Sequence, residues 1–160
     1  MANPAGLPEV CVVYLVRNAT VGPEVLLGRK LTGLGAGKVV APGGKLESGE
    51  TPIDAAVREV REEVGLTLDV AGLRLLGELT YIFPTKPAWN QVSWAFTAHG
   101  DFGDPMPSHE LDALWISVGS LPLDEMWDDA KYWVPDLLNG VPVVATFQFG
   151  SDLSTVSERG

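Results

Sequence analysis

The residues best suited to chemistry are Glu59, Glu62 and Glu63, within the run Arg58-Glu59-Val60-Arg61-Glu62-Glu63. If this run is helical, Glu59 lies at i, i+3 from Glu62 and at i, i+4 from Glu63, so the carboxylates are neighbours in space. Like charges at those spacings cost a helix about 0.2–0.5 kcal/mol per pair unless a cation lies between them. Oxygen ligands without Cys or His suit a hard divalent ion, Mg²⁺ or Mn²⁺, rather than zinc. The competing explanation is a solvated acidic stripe balanced by Arg58 and Arg61, a common feature of helix surfaces. Gly43-Gly44 just upstream favours a site, because paired glycines allow close backbone approach and free carbonyls, and Glu50 adds an acid near the start of the run.

The element that must position these acids is well delimited. Thr51 is a suitable N-cap, Pro52 suits the first helical position, Asp54 can answer Thr51 in a capping box, and Gly65 supplies a left-handed stop. The expected helix therefore spans 52–64. Ile53, Ala56, Val57, Val60 and Val64 fall on one face and form its expected core side. Around it, residues 10–16 and 24–31 read as a hairpin turning through 18–23, followed by a glycine loop at 33–38 and a short strand at 39–41 that runs into Pro42-Gly43-Gly44. Residues 73–83, 91–98, 111–116 and 143–149 read as further strands, and 126–139 as a second helix that Pro135 should kink or divide. Strands and helices that do not alternate regularly indicate an α+β fold rather than a parallel doubly wound sheet.

The chain has 160 residues, enough for one domain with a genuine core. With 11 basic and 21 acidic side chains its formal charge is −10, the opposite of what tracking the phosphates of a long nucleic acid requires. Cys11 sits alone in an apolar run and reads as a buried core thiol. The opening residues lack a basic-then-apolar leader pattern and the longest apolar run is too short for a membrane span, so the expectation is a cytoplasmic protein without a membrane partner. Its oligomeric state stays open, with a monomer compatible. Residues 1–9 are expected to be an N-terminal extension, 10–149 the domain, and 150–160 a loosely held polar tail.

The segment from Gly44 to Leu66 resembles the Nudix hydrolase box, G-x5-E-x7-R-E-U-x-E-E-x-G-U with U aliphatic. Gly44, Glu50, Arg58, Glu59, Val60, Glu62, Glu63, Gly65 and Leu66 fill its fixed positions. That resemblance implies a Nudix fold, an α/β/α sandwich around a mixed sheet, and hydrolysis of a diphosphate bond with divalent metal. It implies Glu59, Glu62, Glu63 and the Gly44 carbonyl as ligands, Arg58 as the group orienting Glu59, and Glu50 as an organiser of the loop and helix junction. It also implies a later glutamate as metal ligand or base, here Glu110, so that the general base is either Glu59 or Glu110.

Residues 26–30, the glycine loop, Pro42-Gly43-Gly44 and 126–135 together resemble the MutT-like members that sanitise oxidised purine nucleoside triphosphates. This likeness implies a nucleotide substrate cleaved to monophosphate and pyrophosphate. Trp127 would stack on the base and Asp129 hydrogen-bond it, with Asp128 available to substitute for a second aspartate. Lys30, Leu34 and Lys45 would complete the substrate contacts. Val40 and Ala130 stand where the mammalian pattern has an asparagine and an aspartate, which leaves the base preference open. Two other readings remain: hydrolysis of ADP-ribose, a dinucleotide or another nucleoside diphosphate derivative, and a non-catalytic Nudix-fold binding module. Gly37-Lys38-Val39 lacks the Ser or Thr and the first glycine of a P-loop, and Lys38 occupies the third glycine place of a dinucleotide fingerprint. His99 and His109 read as surface or loop residues, Trp133 as core, and residues 83–87 as a loop bordering the cleft.

Overall fold

The computed structural model describes residues 3–160 of the chain; of the expected N-terminal extension, residues 1 and 2 lie outside them. The sheet strands are β1 (Glu9–Ala19), β2 (Gly22–Lys30), β3 (Val39–Val40), β4 (Gly43–Lys45), β5 (Leu73–Ile82), β6 (Gln91–His99), β7 (Leu111–Ser117), β8 (Val143–Phe149) and β9 (Val156–Arg159). The helices are α1 (Pro52–Val64) and α2 (Ala130–Leu138). The strands form one mixed sheet, in which β1 runs parallel to β6 and antiparallel to β2. No described helix is long and apolar enough to cross a membrane.

Alternation along β1 divides the core between the two faces of the sheet. Cys11, Val13 and Leu15 pack with Ala55, Ala56, Val60 and Val64 of α1. Tyr14 and Val16 pack with Trp133, Val134 and Leu137 of α2. The layered α/β/α arrangement follows, with one helix on each side.

The first hairpin opens a gap that the site then uses. β1 and β2 pair only from Val16/Val25 to the turn; beyond that point β1 pairs with β4 and β2 with β3. The other edges of β1 and β2 are taken by β6 and β7, so residues 39–45 wedge between the two diverging strands. Gly43 must be glycine there, because a Cβ would collide with the Cys11 carbonyl and lie 2.8 Å from the Val12 Cα.

Several elements differ from expectation. The connection between β1 and β2 is tighter, with Ala19 already paired to Gly22. α2 begins at Ala130, preceded by an irregular turn, and runs through Pro135 as one short helix. Gly43–Lys45 is a strand, which its glycines conceal in the sequence. The expected loose tail is also structured: residues 156–159 pair with β8, and the Gly160 amide and carbonyl both bond Thr146 at 2.8 Å. At the other end, Leu7 packs on the core, and Pro8 accepts the Val92 amide at 3.0 Å, so order begins before residue 10.

Candidate active site

α1 forms with the expected caps: Thr51 Oγ1 accepts the Asp54 amide at 3.2 Å, and Gly65 closes the helix at φ 72°. Its buried stripe is rotated from the expected one. Ile53 and Val57 are only half-buried, whereas Glu59 and Glu63 are 8% and 7% exposed. The helix therefore turns two carboxylates inward, over the β4 wedge.

The third acid comes from elsewhere in the chain. Glu110, just before β7, is placed by its carbonyl, which accepts the Leu31 amide at 2.9 Å. Glu59, Glu63 and Glu110 each offer a carboxylate oxygen, and the three oxygens lie within 4.8 Å of one another. Glu63 is further held by the Gly43 amide, which donates to its Oε1 at 2.7 Å. A Cβ on Gly44 would sit 2.6 Å from the Glu59 carboxyl carbon, so a glycine there leaves the acid its place.

Burial, reinforced by Glu59 and Glu110, pushes the Glu63 carboxyl up to about 7. Glu59 is also raised by burial, against the opposing pull of Arg58. Clustered, partly desolvated carboxylates that resist ionisation form a hard-oxygen donor set whose repulsion a divalent cation would relieve. The donor set thus fits such an ion. Cys11, at the edge of this cluster, has its thiol pushed up to about 12 by burial, which disfavours the thiolate.

Arg58 and Glu50 stand behind the cluster. The Arg58 guanidinium donates from Nε to Glu50 Oε2 and from Nη2 to Glu50 Oε1, both at 2.8 Å, a bidentate pair. Nη1 donates to Glu59 Oε1 at 2.8 Å, and Nη2 to the Lys45 carbonyl at 3.0 Å. Glu50 also accepts the Glu47 amide at 2.9 Å, and the Arg58 hydrogen bonds hold its carboxyl down at about 2. Neither residue lines the cleft; their bonds run to Glu59 and to the loop before the helix.

Glu62 departs from expectation. Its carboxylate is 57% exposed, bonded to Arg58 Nη1 at 3.2 Å, and is neither in the triad nor on the cleft. The reason is helical phase: at about 100° per residue, Glu63 lies about 40° from Glu59 on the inward side, and Glu62 about 60° away on the outward side.

The acids form one end of a cleft of about 660 Å³. The other end is aromatic. Phe83 stacks on Phe149 with ring centroids 4.8 Å apart, and Trp127 meets Phe149 edge-on at 5.7 Å. The glycine loop packs on Trp127, since a Cβ on Gly35 would lie 2.9 Å from its Nε1. Arg29 ties that loop to the segment before Trp127, bonding the Gly37 carbonyl and Glu125, each at 2.7 Å. Asp129 is buried at this end, where Oδ2 accepts the Tyr81 hydroxyl and Trp133 Nε1, each at 2.7 Å. Burial raises its carboxyl from the ordinary value, against the opposing pull of the Trp133 and Tyr81 hydrogen bonds.

Lys30, Leu34 and Lys45, expected to contact a substrate, line the cleft. Lys38 lies over the Trp127 ring at 4.9 Å and Lys86 over Trp89 at 4.2 Å. Two of the five lysines of this acidic chain thus line the cleft and two more lie over its tryptophans, a distribution that favours a polyanion.

Asp128 faces away. It pairs with Lys131 at 2.8 Å and accepts the Val156 amide at 2.8 Å, so it anchors the C-terminal strand and does not line the cleft. Trp133 is core, and His99 and His109 are exposed. Tyr81, Asn90 and Phe149 were not singled out in the sequence, although all line the cleft. Their only signal was aromatic or polar character at the ends of expected strands, too common to single them out.

Residues 7–137 match the model of the NUDIX domain family. The chain is 37% identical over 126 residues to the oxidized purine nucleoside triphosphate hydrolase of Mus musculus, covering 79% of each protein. It is 36% identical over 90 residues to the 8-oxo-dGTP diphosphatase of Escherichia coli, covering 56% of this chain and 66% of that protein. Among solved structures, a mutator MutT protein from Bacillus halodurans superposes with a TM-score of 0.79 at 24% identity, covering 96% of this chain and 97% of that one.

Proposed function

Since the chain belongs to the Nudix family of hydrolases, we propose that it is a Mg²⁺-dependent pyrophosphohydrolase that converts nucleoside triphosphates to monophosphate and pyrophosphate, with oxidised purine nucleotides such as 8-oxo-dGTP preferred. The observation that carries this reading is a single cleft with a carboxylate triad at one end and an aromatic pocket holding one buried aspartate at the other. Phosphates and a purine require those two environments at once. The names of the mouse and Escherichia coli relatives support the choice of substrate.

Glu59, Glu63, Glu110 and the Gly44 carbonyl would hold the cation. When bound, it supplies charge neutralisation at the phosphate oxygens and makes water acidic enough to attack near neutral pH. Lys30 and Lys45 bind the remaining phosphate charge. Arg58 keeps Glu59 in place through its 2.8 Å bond, and Glu50 keeps Arg58 in place through the bidentate pair. Glu110 accepts the proton of the attacking water: among the described residues no protein donor bonds its carboxylate, whereas Glu59 and Glu63 already accept from Arg58 and Gly43. Trp127 stacks on the purine while Asp129 reads its edge.

The test is a panel with Mg²⁺ containing 8-oxo-dGTP, the ordinary triphosphates, ADP-ribose and a dinucleoside polyphosphate, read by pyrophosphate and monophosphate release. The expected result is the highest kcat/KM for oxidised purine triphosphates. Turnover confined to ADP-ribose or dinucleotides would overturn the substrate assignment, and turnover of nothing on the panel would overturn catalysis.

A further inference from the structure

The aromatic end of the cleft contains a polar atom with no partner. Asp129 is 2% exposed, and its Oδ1 is buried without a hydrogen bond among the described residues. A buried acceptor left unmade costs free energy, and such atoms in native structures call for an explanation. The explanation here lies in the other oxygen. Oδ2 receives both the Tyr81 hydroxyl and Trp133 Nε1 at 2.7 Å, so its two lone-pair directions are occupied and the plane of the carboxylate is set. Both donors are themselves held by packing: Tyr81 stacks against Phe147 at 6.1 Å, and Trp133 meets Tyr14 edge-on at 5.8 Å.

We infer that Tyr81 is a specificity-determining positioning residue: with Trp133 it fixes Asp129 so that Oδ1 alone faces the ligand, and the cleft selects planar bases that present an N–H donor at that point. This rests on the nucleoside triphosphate reading above and adds the group that sets its discrimination. An indole nitrogen can only donate, so the atom in the Oδ2 place must be an acceptor. Replacing the carboxylate by an amide therefore keeps the amide oxygen against Trp133 and Tyr81 and turns the NH₂ toward the ligand. The reading atom changes from acceptor to donor, with the fold and the catalytic acids untouched.

The test compares wild type, Asp129→Asn and Tyr81→Phe on two triphosphates: 8-oxo-dGTP, whose pairing edge carries N–H donors, and purine deoxyriboside triphosphate, whose unsubstituted pairing edge carries only a ring acceptor. Asp129→Asn is expected to lower the ratio of kcat/KM between the two by about 100-fold or more, because a site built for one hydrogen-bond polarity rejects the other strongly. Tyr81→Phe is expected to lower it by roughly fivefold to tenfold, expressed in KM, because one of two restraints on the carboxylate is lost. Metal-free titration with the two monophosphates should show the same order in Kd, and thermal melting checks that each variant is folded. A purely structural role for Tyr81 would depress both substrates equally. If the wild type hydrolyses 8-oxo-dGTP but either variant keeps its ratio within about twofold, the inference fails and the proposed function stands. If the wild type hydrolyses neither triphosphate, the proposed function fails and the inference with it.

Discussion

At one end of the cleft three carboxylates converge within 4.8 Å, and at the other a single buried carboxylate is enclosed by rings and two donors. The two ends differ in how they relate to folding. The acid end works against it: Glu59 and Glu63 are buried beside each other and beside Glu110, and burial raises both. Arg58, the Gly43 amide and the charge of Lys30 offset part of that repulsion. The aromatic end is continuous with the core that contains Tyr14, Trp133 and Phe149, and among the described residues just one buried side-chain oxygen there is unsatisfied. The proposed site thus combines mutual repulsion of buried acids at one end with ordinary packing at the other.

The contrast can be broken most severely at the acid end. Glu63→Gln removes a charge from the triad while retaining an acceptor for Gly43, and it should reduce kcat by about 10³-fold, as loss of several kcal/mol of metal-mediated charge stabilisation predicts. Steady-state kinetics with saturating Mg²⁺ measures this, and near-normal kcat would remove Glu63 from the site. At the aromatic end, Trp127→Ala should act on binding, raising KM for purine triphosphates by about 10- to 100-fold through lost stacking while kcat changes far less. A loss confined to kcat would refute its role against the base.

The smallest effect separates stability from activity. The folded-state carboxyl of Glu63 stands at about 7, against about 4.5 unfolded, so between those values the folded protein holds the extra proton. Stability of the metal-free protein therefore falls as pH rises through that window, and the full cost is present above pH 7. Glu63→Gln should remove the cost, stabilising metal-free protein at pH 8 by about 2 kcal/mol and having little effect at pH 4. Denaturant unfolding in EDTA at both pH values checks this. A variant less stable than wild type at pH 8 would show that the acid end is not strained by its charges.

Legibility followed the range of the interactions involved. Thr51, Pro52, Gly65 and the i, i+4 pair of Glu59 and Glu63 are local, and the helix they specify appears with its expected bounds. The β4 wedge was hidden because Gly43 and Gly44 have no strand preference of their own; their pairing is imposed by the gap between β1 and β2. The strand at 156–159 was hidden because its polar residues carry no alternating apolar signal, and its place is given by β8 and by Asp128.

What the amino-acid order determined by itself is the acidic helix, its caps, and the presence of more carboxylates than a stable helix face would choose, since all of these lie within a few residues of one another. Only the tertiary structure decided which carboxylates converge. Rotation of α1 on the sheet turned Glu59 and Glu63 in and left Glu62 outside, and the approach of β7 to β2 added Glu110. The same holds for the pocket, where Tyr81, Asp129 and Trp133 meet because α2 packs across β5, a contact over 48 residues of chain between Tyr81 and Asp129 that no local periodicity encodes.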